Sequence, residues 1–151
     1  MSGRFYEELE VGTRVVHEPS RTITETDNLL FSSLTMNPQP LHIDAEFAAR
    51  SEFGQILVNG MYTLSLMMGL TVFDLTLGTT GGNLGFGAIA FRTPVFIGDT
   101  LTAESEVLER RLSGSRPGWG VVRFAHRARN QRAELCIECE RAALMRCRPD
   151  A

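Results

Sequence analysis

The chain has 151 residues, 43% of them hydrophobic, which is enough to bury the core of one compact domain, and we predict a single domain over residues 1–151. Its net charge of −3 offers no basic surface of the kind that binds nucleic acid, so we expect no nucleic-acid partner. The N-terminal residues lack the apolar segment of a signal peptide, and the cysteine count is odd. We therefore expect a cytoplasmic protein.

The first third of the chain predicts a short strand followed by two helices. Residues 21–24 are typical of a strand, and Thr24 to Asp27 fit a capping box at the start of a helix. The apolar positions of that helix are Leu29, Leu30, Phe31 and Leu34.

Two prolines, Pro38 and Pro40, end this helix and predict an extended loop that carries His42. Asp44 then fits the N-cap of a short helix over residues 45–50, with Phe47 and Ala48 facing inward. The only two other histidines, His17 and His126, fall in strand-like stretches, where we expect surface or packing roles.

Residues 53–73 carry no charge, a length that raises the possibility of a membrane span. Polar residues and glycines interrupt the segment, and Asp74 ends it. We therefore expect no membrane contact and predict a buried helix over roughly residues 58–75.

The second half of the chain changes to strand patterns separated by turns, over residues 84–91, 100–110, 120–129 and 133–146. One long apolar helix followed by antiparallel strands indicates an α+β domain, in which a sheet wraps around the helix. This arrangement fits a single hotdog fold, which we predict for the chain. Its edge strand and part of its helix would stay uncovered, so we expect a homodimer or a higher homo-oligomer.

Cys136 and Cys139 form a lone C-x-x-C within the last predicted strand. Residues three apart in a strand point to opposite faces, which makes chelation awkward. The sequence therefore predicts no metal site.

Three motifs carry the functional signal. They are Gln39-Pro40-Leu41-His42, Asn59-Gly60-Met61 and the segment 91–101, which reads Phe-Arg-Thr-Pro-Val-Phe-Ile-Gly-Asp-Thr-Leu. Their order and spacing resemble the MaoC-like dehydratases, the family of (R)-specific enoyl-CoA hydratases, whose motifs read Asn-Pro-aliphatic-His, His-Gly-Met and Phe-x-x-Pro-Val-x-x-Gly-Asp-Thr-Leu. The form Asn-Pro-Gln-Pro-Leu-His also resembles a narrower branch that acts on branched C5-dicarboxyl-CoA esters such as mesaconyl-CoA or itaconyl-CoA.

The resemblance implies three catalytic positions. His42 would act as general acid and base, and the backbone amide of Gly60 would hold the thioester oxygen as it gains enolate charge. The family's catalytic aspartate lies five residues before the histidine, where this chain has Asn37. An asparagine can orient a water but cannot take its proton. The alternatives are a turn role for Asn37 and close packing for Gly60.

We assign substrate binding to Gln39, Asn59 and Arg92. Arg92 could bind a CoA phosphate or a distal carboxylate of the substrate, or it could be a solvated residue at a strand edge.

The predicted activity is the reversible hydration of a 2-enoyl-CoA thioester, with an acyl-CoA as the partner molecule. We expect no cofactor, because the CoA is part of the substrate, and no metal. The alternatives are an acyl-CoA thioesterase and a hotdog protein that binds acyl-CoA without turning it over.

Overall fold

The computed structural model describes residues 3–149. Its helices are α1 (Glu25–Leu34), α2 (Pro40–Ile43), α3 (Ala45–Ala49) and α4 (Gly60–Leu70). Its strands are β1 (Arg14–Val16), β2 (Arg21–Thr22), β3 (Thr80–Phe91), β4 (Thr100–Leu112), β5 (Trp119–Arg129) and β6 (Leu135–Arg146).

The strands form an antiparallel sheet in the order β1-β4-β5-β6-β3, and β2 pairs with the start of β4. Alternate residues of the long strands face inward, as Val107, Phe124 and Met145 do, and all three are buried. Helix α4 packs against β4 and β5, and Met67 at its centre is fully buried. The predicted arrangement of an antiparallel sheet around a central apolar helix is thus confirmed.

Both predicted helix starts are confirmed by their cap contacts. The Asp27 N–H donates to Thr24 Oγ1 over 3.2 Å, and the Thr24 N–H donates to Asp27 Oδ2 over 2.8 Å. The Asp44 carboxylate accepts from the Phe47 N–H over 3.0 Å. These contacts are local in sequence, which is why the pattern of residue types indicates them.

The buried face of α1 does not coincide with its apolar positions. Asn28 and Ser32 are buried, whereas Leu29, Leu30 and Leu34 are exposed. An amphipathic helix normally turns its apolar stripe toward a core. Here the inward face is occupied by two polar residues one turn apart.

Three further element predictions need correction. His42 lies in the short helix α2 instead of an extended loop, because the fixed φ of Pro40 suits the first helical position. Phe47 of α3 is 43% exposed, although Ala48 is buried as predicted. The central helix begins only at Gly60, because Asn59 is its N-cap, and after Leu70 it gives way to a π-helical turn.

The core contains two hydrophobic clusters, one that includes Met67 and one that includes Phe124, and it also contains buried polar side chains. His17 Nδ1 lies 3.2 Å from Asp74 Oδ2, and His17 Nε2 lies 2.8 Å from Ser105 Oγ. The same hydroxyl lies 2.7 Å from His126 Nδ1. Burial lowers the pKa of His17, and it lowers the pKa of His126 well below the ordinary value, with help from the nearby charges of Arg141 and His17. Both histidines are therefore packing residues, one of the two predicted roles.

Candidate active site

The ring of His42 is held by the backbone that leads into helix α4. Its Nδ1 lies 2.7 Å from the carbonyl oxygen of Leu57. A carbonyl can only accept a hydrogen bond, so Nδ1 carries a proton, and in the neutral ring Nε2 is the nitrogen with the lone pair. A second bond, from the Leu57 N–H to the Leu41 carbonyl over 3.0 Å, joins the same two segments. His42 is half-buried, and its free ring nitrogen can act as a base.

The N-terminus of α4 is organised by Asn59. Its side-chain oxygen accepts from the Met61 N–H over 3.0 Å, and its carbonyl accepts from the Thr63 N–H over 3.1 Å. Gly60 is the first residue of α4, and the first N–H groups of a helix have no helical carbonyl before them that could accept a hydrogen bond. The Gly60 amide and the positive end of the helix dipole together suit an oxygen that gains negative charge.

Gly60 also makes a close contact. A Cβ at this position would lie 3.0 Å from Cε1 of Phe91, which is tighter than an ordinary van der Waals contact. The packing role therefore has direct structural support, and the amide role is compatible with it.

A cavity of about 280 Å³ lies beside this helix start. Leu57 and Gly60 line it together with Phe53, Phe91 and Arg92. Leu57 thus contacts the cavity and also holds the His42 ring. The lining is mainly apolar, as expected for a site that binds an acyl group.

Arg92 lies at the wall of this cavity but already has an ionic partner. Its Nη2 lies 2.8 Å from Oε1 of Glu138, and its Nε donates to the same oxygen over 2.9 Å. The Arg92 side chain is 57% exposed, so a substrate anion could still reach it. Any such anion would have to share the guanidinium with Glu138.

Asn37 lies at a different cavity, of about 360 Å³, together with Ser32, Met36 and Ile43. Its side-chain oxygen accepts from the Gln39 N–H over 3.1 Å, the contact of a turn. The observed bond is thus the one expected of a turn residue, and a water-orienting role stays a prediction. The Gln39 side chain is exposed and lines neither cavity.

Sequence reasoning missed Asn28 and Ser32. The Asn28 side chain donates to the His42 carbonyl over 2.9 Å and accepts from the Asn59 N–H over 2.8 Å. Asn59 Nδ2 in turn donates to Ser32 Oγ over 3.3 Å. The one available signal was their spacing, because two polar residues four apart share one face of a leucine-rich helix.

The two cysteines of the C-x-x-C segment, Cys136 and Cys139, are free thiols and are both buried. Burial raises the pKa of Cys136, and it raises the pKa of Cys139 to about 11. Both are thus protonated thiols near neutral pH, a poor form for a nucleophile or a metal ligand. Within residues 3–149, no three His, Cys, Asp or Glu side chains are grouped where they could hold a metal ion.

No helix in the described part of the chain combines the length and the apolar character that crossing a membrane requires.

The chain matches a known family model and is similar in sequence to named enzymes. The sequence model described as MaoC like domain matches residues 7–121. The mesaconyl-CoA hydratase of Cereibacter sphaeroides is 31% identical over 150 residues, which cover 99% of this chain and 43% of that protein. The (R)-specific enoyl-CoA hydratase of Aeromonas caviae is 36% identical over 104 residues, 68% of this chain and 74% of that protein.

Solved structures agree with the observed fold. A MaoC domain dehydratase from Chloroflexus aurantiacus superposes with a TM-score of 0.91 at 31% identity, over 99% of this chain and 42% of that chain. A Mycobacterium tuberculosis protein described as a double hotdog fold gives a TM-score of 0.88 over 99% of this chain and 46% of its own. At 20% identity the latter establishes the fold only, and the predicted hotdog fold is confirmed. The chain spans less than half the length of the mesaconyl-CoA hydratases it matches.

Proposed function

Because the chain belongs to the MaoC-like dehydratase family, we propose that it catalyses the reversible addition of water to a 2-enoyl thioester of coenzyme A. The observation that carries the proposal is the position of Leu57. The Leu57 carbonyl fixes the tautomer of His42, and Leu57 also lines the cavity that Gly60 lines. A base and an unsatisfied helix amide thus belong to the same small region.

The chemistry follows from these groups. Nε2 of His42 takes a proton from water as the water oxygen bonds to C3 of the substrate. The C2–C3 π pair moves toward the thioester, whose oxygen gains enolate charge and accepts from the Gly60 N–H. His42 then returns the proton to C2, so that one water is added and no electrons leave the substrate. In this proposal Asn37, which lies at the second cavity, orients the water. Substrate contacts of Gln39 and Asn59 stay predictions, since Gln39 lines neither cavity and the buried Asn59 amide is already bonded to Met61 and Ser32.

No cofactor is needed in this scheme, because hydration is redox-neutral and the helix amide polarises the thioester. Activity should therefore survive dialysis against a chelator. A chelator-sensitive activity that a divalent metal restores would contradict this part of the proposal.

The cavity favours a short acyl group, since its volume of about 280 Å³ lies just below the range of about 300–1,000 Å³ usual for ligand pockets. We further propose a branched C5-dicarboxyl ester as substrate. The support is the name of the mesaconyl-CoA hydratase relatives and the presence of Arg92, a cation at the cavity wall. Arg92 would bind the distal carboxylate while it stays paired with Glu138.

We also propose that two copies pair. Strand β3 is a sheet edge, and it exposes the large apolar side chains of Leu84, Phe86, Ile89 and Phe91. Helix α4 exposes Met61, which is 54% accessible. A second copy would bury both surfaces and pair the free edge.

The test of the activity is to follow loss of the enoyl-thioester absorbance with crotonyl-CoA, mesaconyl-CoA and itaconyl-CoA, with mass spectrometry of each product. His42→Gln is the matched variant, because its amide can still donate to the Leu57 carbonyl but cannot take a proton. Addition of one water by the wild type, lost in His42→Gln, would support a hydratase. Free thiol would instead identify a thioesterase, and binding without turnover would identify an acyl-CoA-binding protein.

A further inference from the structure

Asn28 connects the two halves of the candidate active site. Its side chain is 1% exposed, and both ends of its amide are used. The amide nitrogen donates to the carbonyl of His42 over 2.9 Å, and the amide oxygen accepts from the N–H of Asn59 over 2.8 Å. One side chain thus bonds to the backbone of the histidine and to the N-cap of helix α4.

We propose that Asn28 is a positioning residue, which fixes His42 relative to the amide end of helix α4. The inference rests on the proposed hydratase function. His42 is fourteen positions from Asn28 in sequence, and Asn59 is thirty-one positions away, so neither separation fixes their relative position. The bonds of the His42 ring and of the Leu41 carbonyl both go to Leu57, so they attach this segment at one point only, just before α4. Asn28 supplies a second attachment, at the His42 backbone.

The support continues one turn along α1. Ser32 is fully buried, and its hydroxyl accepts from the side chain of Asn59 over 3.3 Å. The other end of the Asn59 amide caps the Met61 N–H. Helix α1 therefore holds both the backbone and the side chain of the residue from which α4 begins.

The chemistry gives this arrangement a purpose. His42 must take a proton on one side of the substrate while a helix amide holds the thioester oxygen, and both groups must be correctly placed at once. A misplacement of about 1 Å in such a pair can lower the rate about 100-fold. Because Asn28 contacts neither the cavity nor the reacting atoms, its loss should affect turnover more than acyl-CoA binding.

The experiment measures kcat and KM of Asn28→Ala and Asn28→Asp with the ester that the wild type prefers, together with thermal unfolding. The aspartate keeps the acceptor for the Asn59 N–H but, when ionised, cannot donate to the His42 carbonyl. The control is Asn130→Ala, because Asn130 is also buried and its side chain organises the β5–β6 turn by accepting from the Arg132 and Glu134 amides.

The expected result is a kcat about 10- to 100-fold lower in both Asn28 variants, with KM changed less than about threefold. Asn130→Ala should lose stability while it keeps kcat. If Asn28→Ala does not fold, the nearly isosteric Asn28→Asp carries the test.

Two outcomes separate this inference from the function on which it rests. An active wild type whose folded Asn28 variants keep full kcat, or raise only KM, would overturn the positioning role alone. A wild type that hydrates no enoyl thioester would refute the proposed function and the role of Asn28 with it.

Discussion

Gly60 has two explanations that a single substitution cannot separate. An alanine Cβ would lie 3.0 Å from Cε1 and 3.3 Å from Cζ of Phe91, so Gly60→Ala forces the half-exposed Phe91 ring to move away from the helix start. The same substitution would also shift the backbone amide proposed to hold the thioester oxygen. A fall in activity would therefore support either explanation.

A pair of double variants isolates the amide. Phe91→Ala removes the obstructing ring, and in that background Gly60→Ala and Gly60→Pro each add a Cβ. Only proline lacks the N–H. Proline suits the first position of a helix, and the ψ of 123° at Asn59 lies within the range preferred before a proline. The two variants should therefore fold alike.

The expected difference follows from the chemistry of the amide. Loss of one donor to a developing oxyanion lowers kcat about 100- to 1,000-fold, equivalent to about 2.7–4 kcal/mol. The Gly60→Pro variant should show this loss relative to Gly60→Ala, in the Phe91→Ala background. Hydration rates measured from enoyl absorbance and free energies of unfolding measured in denaturant supply the comparison. Equal kcat in two equally stable variants would refute the oxyanion role and leave Gly60 as a packing residue.

Three further predictions concern substrate choice, pH and assembly. Arg92→Gln should lower kcat/KM for mesaconyl-CoA about 10- to 100-fold while crotonyl-CoA is unaffected, since a charged hydrogen bond contributes about 1.5–3 kcal/mol. The ion-paired Arg123→Gln is the control, and an equal loss on both esters would contradict the carboxylate role. Below about pH 6.5 the unfolded chain protonates His126 while the folded state, with its lowered pKa, does not, so stability should fall by up to about 1.4 kcal/mol per pH unit for this residue. Denaturant unfolding between about pH 7 and pH 5 measures how the free energy of unfolding changes with pH. If that free energy changes with pH as steeply in His126→Gln as in the wild type, the prediction is wrong. Phe86→Arg on the exposed edge strand should yield monomers in sedimentation, and Leu112→Arg, at the far end of β4, should not. A dimer that survives Phe86→Arg would place the interface elsewhere.

Sequence reasoning succeeded wherever the determinants are close together in the chain. The Thr24–Asp27 capping box and the Asp44 cap each join residues three positions apart, so their side-chain types predict the contact. The strands of the second half were predicted to within a few residues because their alternation of inward and outward side chains is a local pattern.

It failed where tertiary contacts decide. Helix α4 begins at Gly60, two positions later than predicted, because Asn59 is its N-cap and the backbone of Asn59 is held by Asn28, thirty-one residues away. Pro40 begins a helical turn that is held by the bond between Leu41 and Leu57, a contact that depends on a segment sixteen residues away. The candidate site was found by motif resemblance, but its support from Asn28 depends on the fold and could not be read from the motifs.

Helix α1 shows how these observations fit together. An amphipathic helix usually buries its apolar stripe, yet α1 buries Asn28 and Ser32 and leaves three leucines exposed. Burying an amide costs little when its donor and acceptor are both bonded, and it then fixes one arrangement of its partners. The departure from the usual pattern is therefore explained by the site, since an apolar residue at position 28 would leave the His42 carbonyl and the Asn59 amide unpaired. In this chain a buried polar pair in a leucine-rich helix points to the same candidate site as the motifs do.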